Sequence, residues 1–424
     1  MSKFDFLDRF NEPQRLDPDH EALTDLAAQL NGEIINTDLG RYLQLICEYR
    51  TDFAHGDSQV GSLLAKYPAF RLECFEPRHQ DEEIPLSEVI FVDAETTGLS
   101  AATGTVAFLL GVGFVRDNNF VVQQFFLPDY PDEPAQLEAI ADLVSDYSVV
   151  CSFNGKSFDL PLLETRFVMQ RQKSPFEGML HIDLLHSSRR FWRQRLPDVT
   201  LQTLEKSLLG LYRYGDTPGY MIPQLYFDFL RAGRAEPLHG VFKHNQLDIV
   251  SLLFLLVATQ RYLDQAEDYD YYSAAEALAI SRFFLRQQKL EASCTAAARQ
   301  FACCEQDESA EALGLHLSML QKRLGLHDEA LATFRRLAAR PGEIRLFALE
   351  GAAKLLEHQF GEYDTASRTV VVAQEYLESP HAEIPYDRIL FWHESLSRRR
   401  QRLLRKAAAQ KNAGGSPNSN RRAV

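Results

Sequence analysis

The sequence contains few of the residues from which thiolate metal sites and disulfide frameworks are built. Only six of its 424 residues are cysteine, and no two of them form a CxxC pair or another paired metal-ligand spacing. The six are Cys47, Cys74, Cys151, Cys294, Cys303 and Cys304. Their scatter argues against a zinc-finger or disulfide framework and predicts reduced, partly buried thiols, as in a cytosolic protein.

The sequence also lacks an apolar run long enough to cross a membrane. Its longest candidate, IVSLLFLLVA at 249–258, has about half of the roughly 20 residues that a spanning helix needs and predicts a buried helix instead. The N-terminal stretch MSKFDFLDRFNEPQRLDPDH has no basic region followed by an apolar region, which is the design of a signal peptide. We therefore expect a cytoplasmic protein without a membrane partner.

An excess of positive charge is missing as well. The net charge is -14 at pH 7, which argues against a chain that coats itself with nucleic acid through bulk attraction. Residues 396–424, however, contain nine Lys or Arg and no acid. Within them, SRRRQRLLRK from Ser397 is a candidate for phosphate contact because no acid opposes its charges. The end of an amphipathic helix is the alternative interpretation.

The chain has enough apolar sequence for more than one core. Its length exceeds the usual size of a single domain, and 45% of its residues are hydrophobic. Changes in pattern along the chain predict four segments. These are an N-terminal α+β segment of unknown role at 1–85, an α/β domain at 86–265, helical repeats at 270–395 and a basic, largely disordered tail at 396–424.

The central segment predicts a mixed sheet flanked by helices. EVIFVD predicts a short buried strand, and TVAFLLGVGFVRD and FVVQQFFLP predict two longer strands that the turn DNN joins. SVVCSFNG predicts a fourth strand. Helices are predicted around 158–172, 183–194, 200–209, 223–231 and 241–262. Hairpin strands followed by alternating strand and helix are typical of an α/β fold with a mixed sheet.

After about residue 270, every segment has helical periodicity. Small residues recur at intervals of 38 and 36 positions, at Ala292, Ala330 and Ala366, which is close to the roughly 34-residue period of tetratricopeptide arrays. The pattern predicts an all-α helical repeat domain, with an ordinary helical bundle as the alternative. The last stretch, KNAGGSPNSNRRAV, has few apolar residues and is expected to be disordered.

Two acidic residues stand at the end of the first predicted strand. In FVDAETTGLS, Asp93 and Glu95 project from the same face because side chains alternate along a strand. Two neighbouring carboxylates repel each other, and a shared Mg²⁺ or Mn²⁺, which prefers oxygen ligands, would relieve that repulsion. The alternative is a pair of acids that reach solvent.

Two later motifs add ionisable side chains in the same segment. In CSFNGKSFDLPLLETRF, Pro161 fits only the first helical turn, so Asp159 lies in that turn near the positive end of the helix dipole. In FKHNQLDIVSLLFLLVATQ, His244 and Asp248 share one helix face, and a carboxylate among so many apolar residues needs a partner. Dipole stabilisation and a satisfied core pair are the respective alternatives. The ordered set of motifs favours one common site.

These residues carry a resemblance to a known family. DAETTGL, NGKSFDLPLLETRF and HNQLDIVSL resemble the three exonuclease motifs of the DEDD superfamily, which has a ribonuclease H-like fold. With LPDVTLQTLEKSLLG and IPQLYFDFLRAG, they resemble the YprB-type ribonuclease H-like family, often followed by a tetratricopeptide-like region. The resemblance covers roughly 88–262. It makes 86–265 a ribonuclease H-like exonuclease domain.

The resemblance implies metal-dependent hydrolysis of nucleic acid from its 3′ end. By position, the metal carboxylates would be Asp93, Glu95, Asp159 and Asp248, and the general base His244. Two Mg²⁺ or Mn²⁺ ions about 4 Å apart would hold the scissile phosphate, with Asp93 between them. His244 would take the proton of the attacking water. One departure is that three residues separate His244 from Asp248, the spacing of the superfamily's tyrosine branch.

The turn after the first strand is expected to contact the terminal nucleotide. Gly98 permits close approach of the backbone, whereas a simple strand-ending turn is the alternative. Lys156 is a candidate phosphate contact or a solvated lysine. The expected substrate contacts are Thr96, Thr97, Gly98, Leu99, Asn154 and Lys156. The basic aromatic stretch RRFWRQR at 189–195 is either a single-strand contact or one solvated helix face with Trp192 packed inward.

Three functions follow from this sequence. The leading one is a 3′–5′ exonuclease that acts on the 3′ end of single-stranded DNA or RNA, with a protein partner as a candidate ligand of the helical repeats. The second is a catalytically weak ribonuclease H-like scaffold that binds nucleic acid or protein through those repeats. The third is an endonuclease related by fold. Fold alone does not decide among them.

Overall fold

The computed structural model describes residues 20–76, 79, 82–98, 104–266, 273–303, 308–380 and 382–412. The chain divides into two compact units, Met1–Asp264 and Gln265–Val424. The first unit contains every strand found among the described residues, and the second contains helices. A mixed sheet flanked by helices, followed by an all-helical region, confirms the predicted fold class.

The first unit is built on one large sheet and two small ones. The strands are β1 (Glu33–Thr37), β2 (Gly40–Tyr49), β3 (Ala54–His55), β4 (Ser58–Gln59), β5 (Ala69–Arg71), β6 (Glu83–Pro85), β7 (Val89–Thr96), β8 (Ala107–Arg116), β9 (Asn119–Phe126), β10 (Val149–Ser152) and β11 (Leu180–Asp183). The large sheet has the order β1-β2-β9-β8-β7-β10-β11, in which β7, β10 and β11 run parallel and the other neighbours antiparallel. Two strands of the predicted N-terminal segment therefore form one edge of this sheet.

Helices cover both faces of the sheet. In the first unit they are α1 (His20–Leu30), α2 (Val60–Lys66), α3 (Glu133–Val144), α4 (Asp159–Met169), α5 (Leu184–Trp192), α6 (Leu201–Leu204), a π-helical turn (Glu205–Leu209), α7 (Ile222–Ala232) and α8 (Leu238–Asp264). Short 3-10 turns lie at Leu72–Cys74, Leu86–Glu88, Tyr130–Asp132 and Gly219–Met221.

The alternation of side chains along the central strands divides the core into two layers. Leu109 and Phe126 pack with α1, α7 and α8 on one face, whereas Leu110 and Phe125 pack with α3 and α4 on the other. Strand β8 is buried almost throughout because it lies at the centre of the sheet with helices on both sides. This explains why it reads as a continuous apolar run.

Helix α8 is the only helix in the described ranges that is long and apolar enough to cross a membrane by length and composition. Most of that apolar stretch is buried inside the fold, where Leu238, Val241 and Phe242 belong to the core layer beneath the sheet. A core helix passes the same test, so this observation is weak support for a membrane span.

The second unit consists of paired helices. They are α9 (Ala274–Arg286), α10 (Leu290–Cys303), α11 (Glu308–Arg323), α12 (His327–Leu337), α13 (Glu343–Leu355), a π-helical turn (Leu356–Phe360), α14 (Tyr363–Glu378) and α15 (Tyr386–Asn412). Each packs against the next along the chain. Gly314 lies against Phe301, and Gly351 lies against Phe334, so a glycine meets a phenylalanine of the preceding helix pair twice. The tetratricopeptide-like assignment stays a prediction.

The basic tail differs from its prediction. Residues 396–412 belong to α15 and are not disordered, because Leu396, Leu403 and Ala407 form a buried stripe at helical spacing. Residues 413–424 lie outside the described residues. We expected the basic charges to be unopposed because the stretch itself contains no acid. In the structure, acids from earlier helices oppose them.

Glu357 is the acid that holds most of these charges. Its carboxylate is fully buried and pairs with Arg399 at 3.1 Å, with Arg402 at 2.8 Å and with Lys406 at 2.9 Å. Burial alone would raise the pKa of Glu357, but hydrogen bonds from Arg402 and Lys406 bring it down to about 2. This cluster ties α15 to the end of α13.

Replacing Glu357 with glutamine should loosen α15 in the intact chain. The change removes the fully buried carboxylate and leaves Arg399 with only its pair to Glu350 at 3.3 Å. Breaking a buried pair typically costs about 3–5 kcal/mol, and less here because Arg399 keeps Glu350 and because Arg402 and Lys406 are partly exposed. We expect amide hydrogen exchange in α14 and α15 to accelerate at least about 10-fold. The exposed Glu375→Gln variant is the control, and equal exchange in the two variants would contradict a role for the cluster.

Candidate active site

Asp93 and Glu95 lie near the end of β7, a central strand of the sheet. Opposite Asp93 stands Gly111 of β8. A Cβ atom at Gly111 would lie 2.2 Å from the Oδ1 atom of Asn245 and 2.1 Å from the Cδ1 atom of Ile249. The absence of a side chain at this position therefore allows α8 to approach the strand that carries the two acids.

Asn245 connects α8 to Asp93 directly. Its Nδ2 donates to the Oδ2 atom of Asp93 at 2.8 Å and to the Asp93 carbonyl at 3.1 Å. Gln124 of β9 donates to the Oδ1 atom of Asn245 at 2.8 Å and accepts from Gln246 at 2.8 Å. Asn245 and Gln124 are fully buried. This chain of amides fixes the Asp93 carboxylate and places Asp248, one turn further along α8, on the same side of the sheet.

Asp159 is the first residue of α4 and is buried. The turn before it contains Asn154 in the left-handed region, with φ +68°. The carboxylate of Asp183, at the end of β11, accepts from the N–H groups of Asn154 at 2.8 Å, Lys156 at 3.1 Å and Leu185 at 3.0 Å. Asp183 thus holds the turn that presents Asp159 to the site.

His244 and Asp248 are neighbours on α8, as their spacing predicts. The Nε2 atom of His244 lies 3.6 Å from the Oδ2 atom of Asp248. The Nδ1 atom of His244 bonds to the Oδ1 atom of Asp216 at 2.8 Å. With a proton on Nδ1, the Nε2 atom is the acceptor that faces the carboxylates.

Arg213 supplies a buried positive charge beside these acids. Its guanidinium pairs with Asp248 at 2.5 Å, with Asp216 at 3.1 Å and with Glu205 at 2.5 Å. Burial alone would lower the pKa of Arg213, but the neighbouring Asp248 and Glu205 raise it above its ordinary value. One carboxylate oxygen of Asp248 is therefore paired within the protein.

Arg213 and Asp216 belong to the site loop, which we define as residues 210–221. The loop follows one face of α8, where Thr217 lies against Gly240, Asp216 bonds to His244 and Arg213 pairs with Asp248. These three helix positions are four residues apart, so the contacts extend over about 12 Å of helix. The site loop forms a wall of the candidate site.

The carboxylates influence one another strongly. Burial raises the pKa of Asp93 well above its ordinary value, and the nearby charges of Asp248 and Asp159 add to that rise. Burial, then Asp93 and Asp248, raise the pKa of Glu95 in the same direction. The pKa of Asp159 rises to about 7 because of burial and the charge of Asp183. Four predicted metal carboxylates thus converge on one region of concentrated negative charge.

The donor set suits hard divalent cations, because it offers carboxylate oxygens whose repulsion such a cation would reduce. Within the described ranges, however, no three His, Cys, Asp or Glu side chains form a ready-made group that holds a metal ion. Asp248 is paired with Arg213, and Asp93 accepts from Asn245. Metal binding would require these side chains to reorient.

The expected substrate contacts are mostly engaged within the protein. Thr96 donates through Oγ1 to the carbonyl of Gly98 at 2.7 Å, and Thr97 Oγ1 accepts from the N–H of Val106 at 3.0 Å. Lys156 pairs with Glu76 at 2.9 Å. Leu99 lies outside the described residues. Asn154 is exposed, and Gly98 has ordinary backbone geometry. Their role in substrate binding stays a prediction.

The stretch 189–195 does not offer its aromatic rings to a ligand. Phe191 and Trp192 are each 1% exposed, and both contact Tyr262 of α8. The alternative interpretation, a helix face with Trp192 packed inward, is the correct one. The periodicity of α5 explains it, since its apolar residues face the core.

A buried polar chain continues from Arg213 through Glu205 to Ser251, on the same face of α8 as His244. Glu205 accepts a hydrogen bond from Ser251, whose Oγ lies 2.8 Å from the Nε2 atom of His55. His55 is 2% exposed and lines a cavity of about 220 Å³ with Lys66 and Arg261. Nothing local in the sequence reveals this partner of His55, which lies 196 positions away.

Sequence reasoning also missed four residues that shape the site, namely Asp183, Arg213, Asp216 and Asn245. Each acts through a contact that is remote in sequence. Asp183 alone carried a local signal. It is the last residue of the strand LHID and directly precedes a helix, which is a typical position for an N-cap aspartate. Asn245 adjoins His244, but only the ionisable residues of that motif, His244 and Asp248, led to a prediction.

Replacing His55 with glutamine should make folding less sensitive to acid. Burial, with the charge of Arg213, lowers the pKa of His55 from 6.5 to about 4. Its stabilising effect is complete above pH 6.5 and is lost as pH falls towards 4, because only the unfolded chain then takes up the proton. Between pH 7 and pH 5, the free energy of unfolding should fall by about 2 kcal/mol less in the variant than in the wild-type chain.

Urea unfolding at the two pH values measures this difference, with the exposed His186→Gln variant as the control. An equal loss in the wild-type chain and His55→Gln would show that His55 is protonated as readily in the fold as outside it. The comparison uses differences between variants, so the opposite effect of the site carboxylates, whose raised pKa values favour the folded state in acid, cancels.

Comparisons with known proteins agree with this geometry. Residues 90–260, which contain Asp93, Glu95, Asp159, His244 and Asp248, match the family model of the RNase_H superfamily. Over an aligned stretch of 282 residues, the chain is also 32% identical to the protein named "Uncharacterized protein YprB" from Bacillus subtilis (strain 168). This stretch covers 66% of this chain and 67% of that protein. The chain therefore belongs to the YprB family and carries an RNase_H superfamily domain that contains the candidate active site.

Proposed function

We propose that this protein is a metal-dependent 3′–5′ exonuclease that hydrolyses single-stranded nucleic acid. The observation that carries the proposal is the convergence of Asp93, Glu95, Asp159 and Asp248 from β7, α4 and α8 beside His244. Membership of the RNase_H superfamily supports a nuclease, and the three motifs support the exonuclease class. A cytoplasmic location and a protein partner of the helical unit belong to the same proposal.

The protein's own residues supply orientation and a proton acceptor. Asp216 holds the Nδ1 atom of His244, so the Nε2 atom is directed towards the carboxylates and can accept the proton of an attacking water. Asn245 fixes Asp93, and Asp183 fixes the turn that carries Asp159. These contacts place the reacting groups before substrate arrives, which is a major source of rate enhancement.

Two divalent cations, Mg²⁺ or Mn²⁺, would be held by Asp93, Glu95, Asp159 and Asp248. When bound, they would neutralise the crowded carboxylates and the charge that develops on the phosphate. Arg213 would then keep its pairing with Asp216 and Glu205 while Asp248 turns towards the cations.

A second candidate function is a catalytically weak scaffold that binds nucleic acid or protein. The ion pair between Arg213 and Asp248 favours it, because a guanidinium already neutralises one of the four acids. Without cations, the site would retain its fold and its electrostatic balance. This alternative predicts binding without turnover.

A direct assay separates the two candidates. The full-length protein with Mn²⁺ should shorten a single-stranded oligonucleotide labelled at its 5′ end one nucleotide at a time, and it should leave a circular single strand intact. The activity of the Asp93→Asn variant should be more than about 100-fold lower, since even groups that only support a metal ligand contribute about 10- to 100-fold to metal affinity or activity. Folded wild-type protein that leaves every strand unchanged would favour the scaffold.

The same variant provides a control for folding. The site raises the pKa of Asp93, which means that the fold disfavours its charge. Without added cation, Asp93→Asn is therefore expected to unfold at the same or a higher temperature than the wild-type chain. Added Mn²⁺ should raise the unfolding temperature of the wild type only. A lower unfolding temperature for the variant would mean that Asp93 is a structural residue.

Replacing Asp216 with asparagine tests the orientation of His244. An asparagine amide can bond to Nδ1 in either protonation state, so the required tautomer is no longer selected. We expect kcat to fall about 10- to 100-fold with little change in KM. The control Asp228→Asn changes a half-buried acid of α7 that accepts a hydrogen bond from Gln224. An unchanged kcat in Asp216→Asn would remove His244 or its orientation from the mechanism.

A further inference from the structure

The site loop carries an unusual group of aromatic side chains. Tyr212 is 56% exposed, Tyr214 is 86% exposed and Tyr220 is 80% exposed. In the part of the first unit that the structure describes, Tyr130 is the only other aromatic side chain with comparable exposure, at 44%. Tyrosine usually buries its ring, so three exposed rings on one 12-residue segment need a reason.

The fold ties these rings to the candidate active site. Tyr212 and Tyr214 flank Arg213, whose guanidinium pairs with Asp248, so their Cα atoms are within about 3.8 Å of the Arg213 Cα. Tyr220 follows Asp216 and Thr217, which contact α8. The inner side of the site loop is therefore anchored on the helix that carries His244 and Asp248, and its tyrosines lie on the outer side.

The rings are free to take up a ligand. No hydrogen bond or ring contact joins Tyr214 or Tyr220 to another residue that the structure describes. The Nζ atom of Lys206 lies 5.6 Å from the centre of the Tyr212 ring, and this lysine forms no ion pair within the described ranges. Exposed aromatic rings with an unpaired cation are the two elements with which proteins bind single strands without sequence preference.

We infer that the site loop is a stacking platform for the unpaired bases of a single-stranded nucleic acid that enters the active site. This inference rests on the proposed function. Tyr214 and Tyr220 each stack on a base, and Tyr212 with Lys206 contacts a further base and its phosphate. Bases in the interior of a duplex are stacked on both faces, so the platform selects single strands over double strands. The terminal phosphodiester of the bound strand remains available to the carboxylates and to His244.

The platform is tested by binding under conditions without turnover. Fluorescence anisotropy of a labelled single-stranded oligonucleotide is measured with full-length Asp93→Asn protein, alone and combined with changes at the tyrosines. Loss of one stacked base should raise Kd between about 5- and 150-fold for Tyr214→Ala or Tyr220→Ala. Tyr214→Phe and Tyr220→Phe keep the ring and should stay within about 3-fold of the parent. Tyr386→Ala, which removes a 91% exposed tyrosine of the second unit, is the matched control.

An abasic oligonucleotide gives the sharpest comparison, because it keeps the phosphates and removes the stacking partners. It should bind more weakly than the normal strand, and the alanine changes should no longer affect its Kd. A blunt duplex should behave in the same way. If the alanine variants bind the normal strand as tightly as the parent, or weaken the abasic strand equally, the platform does not exist and the tyrosines serve another partner.

The outcomes also separate this inference from the proposed function. Tyrosine-dependent binding in a wild-type protein that hydrolyses no strand would keep the platform and reject the exonuclease. Hydrolysis that is unaffected by Tyr214→Ala and Tyr220→Ala, in both KM and kcat, would keep the exonuclease and reject the platform. Failure of the parent protein to bind any single strand would reject the platform directly.

Discussion

The arrangement of the first unit depends on the burial of like charges at one point of the sheet. Asp93, Glu95 and Asp159 have raised pKa values because burial and the charges of neighbouring carboxylates disfavour their ionised forms. A fold selected only for stability would place apolar side chains there, as it does on the rest of β7. The surrounding polar groups are therefore best understood as supports that keep these acids in place despite their repulsion.

Two sets of supports work in different ways. Hydrogen bonds act on one side: the Asn245 amide donates to Asp93, and the Asp183 carboxylate accepts from the turn before Asp159, although its charge also raises the pKa of Asp159. A full positive charge acts on the other, where Arg213 balances Asp216 and Asp248. The glycine at 111 makes both possible, since any side chain there would hold α8 away from β7. Electrostatics and close packing are thus coupled at this site.

Features that depend on local sequence could be predicted, whereas features that depend on contacts between residues distant in sequence could not. The strands and helices were predictable because apolar periodicity is local. Three acids, Asp93, Glu95 and Asp159, were singled out near the ends of such elements, and Asp248 because it shares an apolar helix face with His244. Arg213 and Asp216 were not found, because the loop that holds them has no periodicity and their partners are 28 to 35 positions away. For the stretch from Ser397, the end of a helix was only the alternative interpretation, because its counter-charges, such as Glu357, lie outside the stretch.

The site loop links these electrostatic supports to the exterior of the molecule. A loop holds exposed aromatic rings in defined positions when its own backbone is fixed by other contacts, and here α8 provides them through Gly240, His244 and Asp248. The same contacts balance the acids on the inner side. Removal of the loop's charged residues would therefore release both the orientation of His244 and the position of the tyrosines. The proposed binding of a single strand and the geometry of the reacting groups would consequently be coupled through one segment of twelve residues.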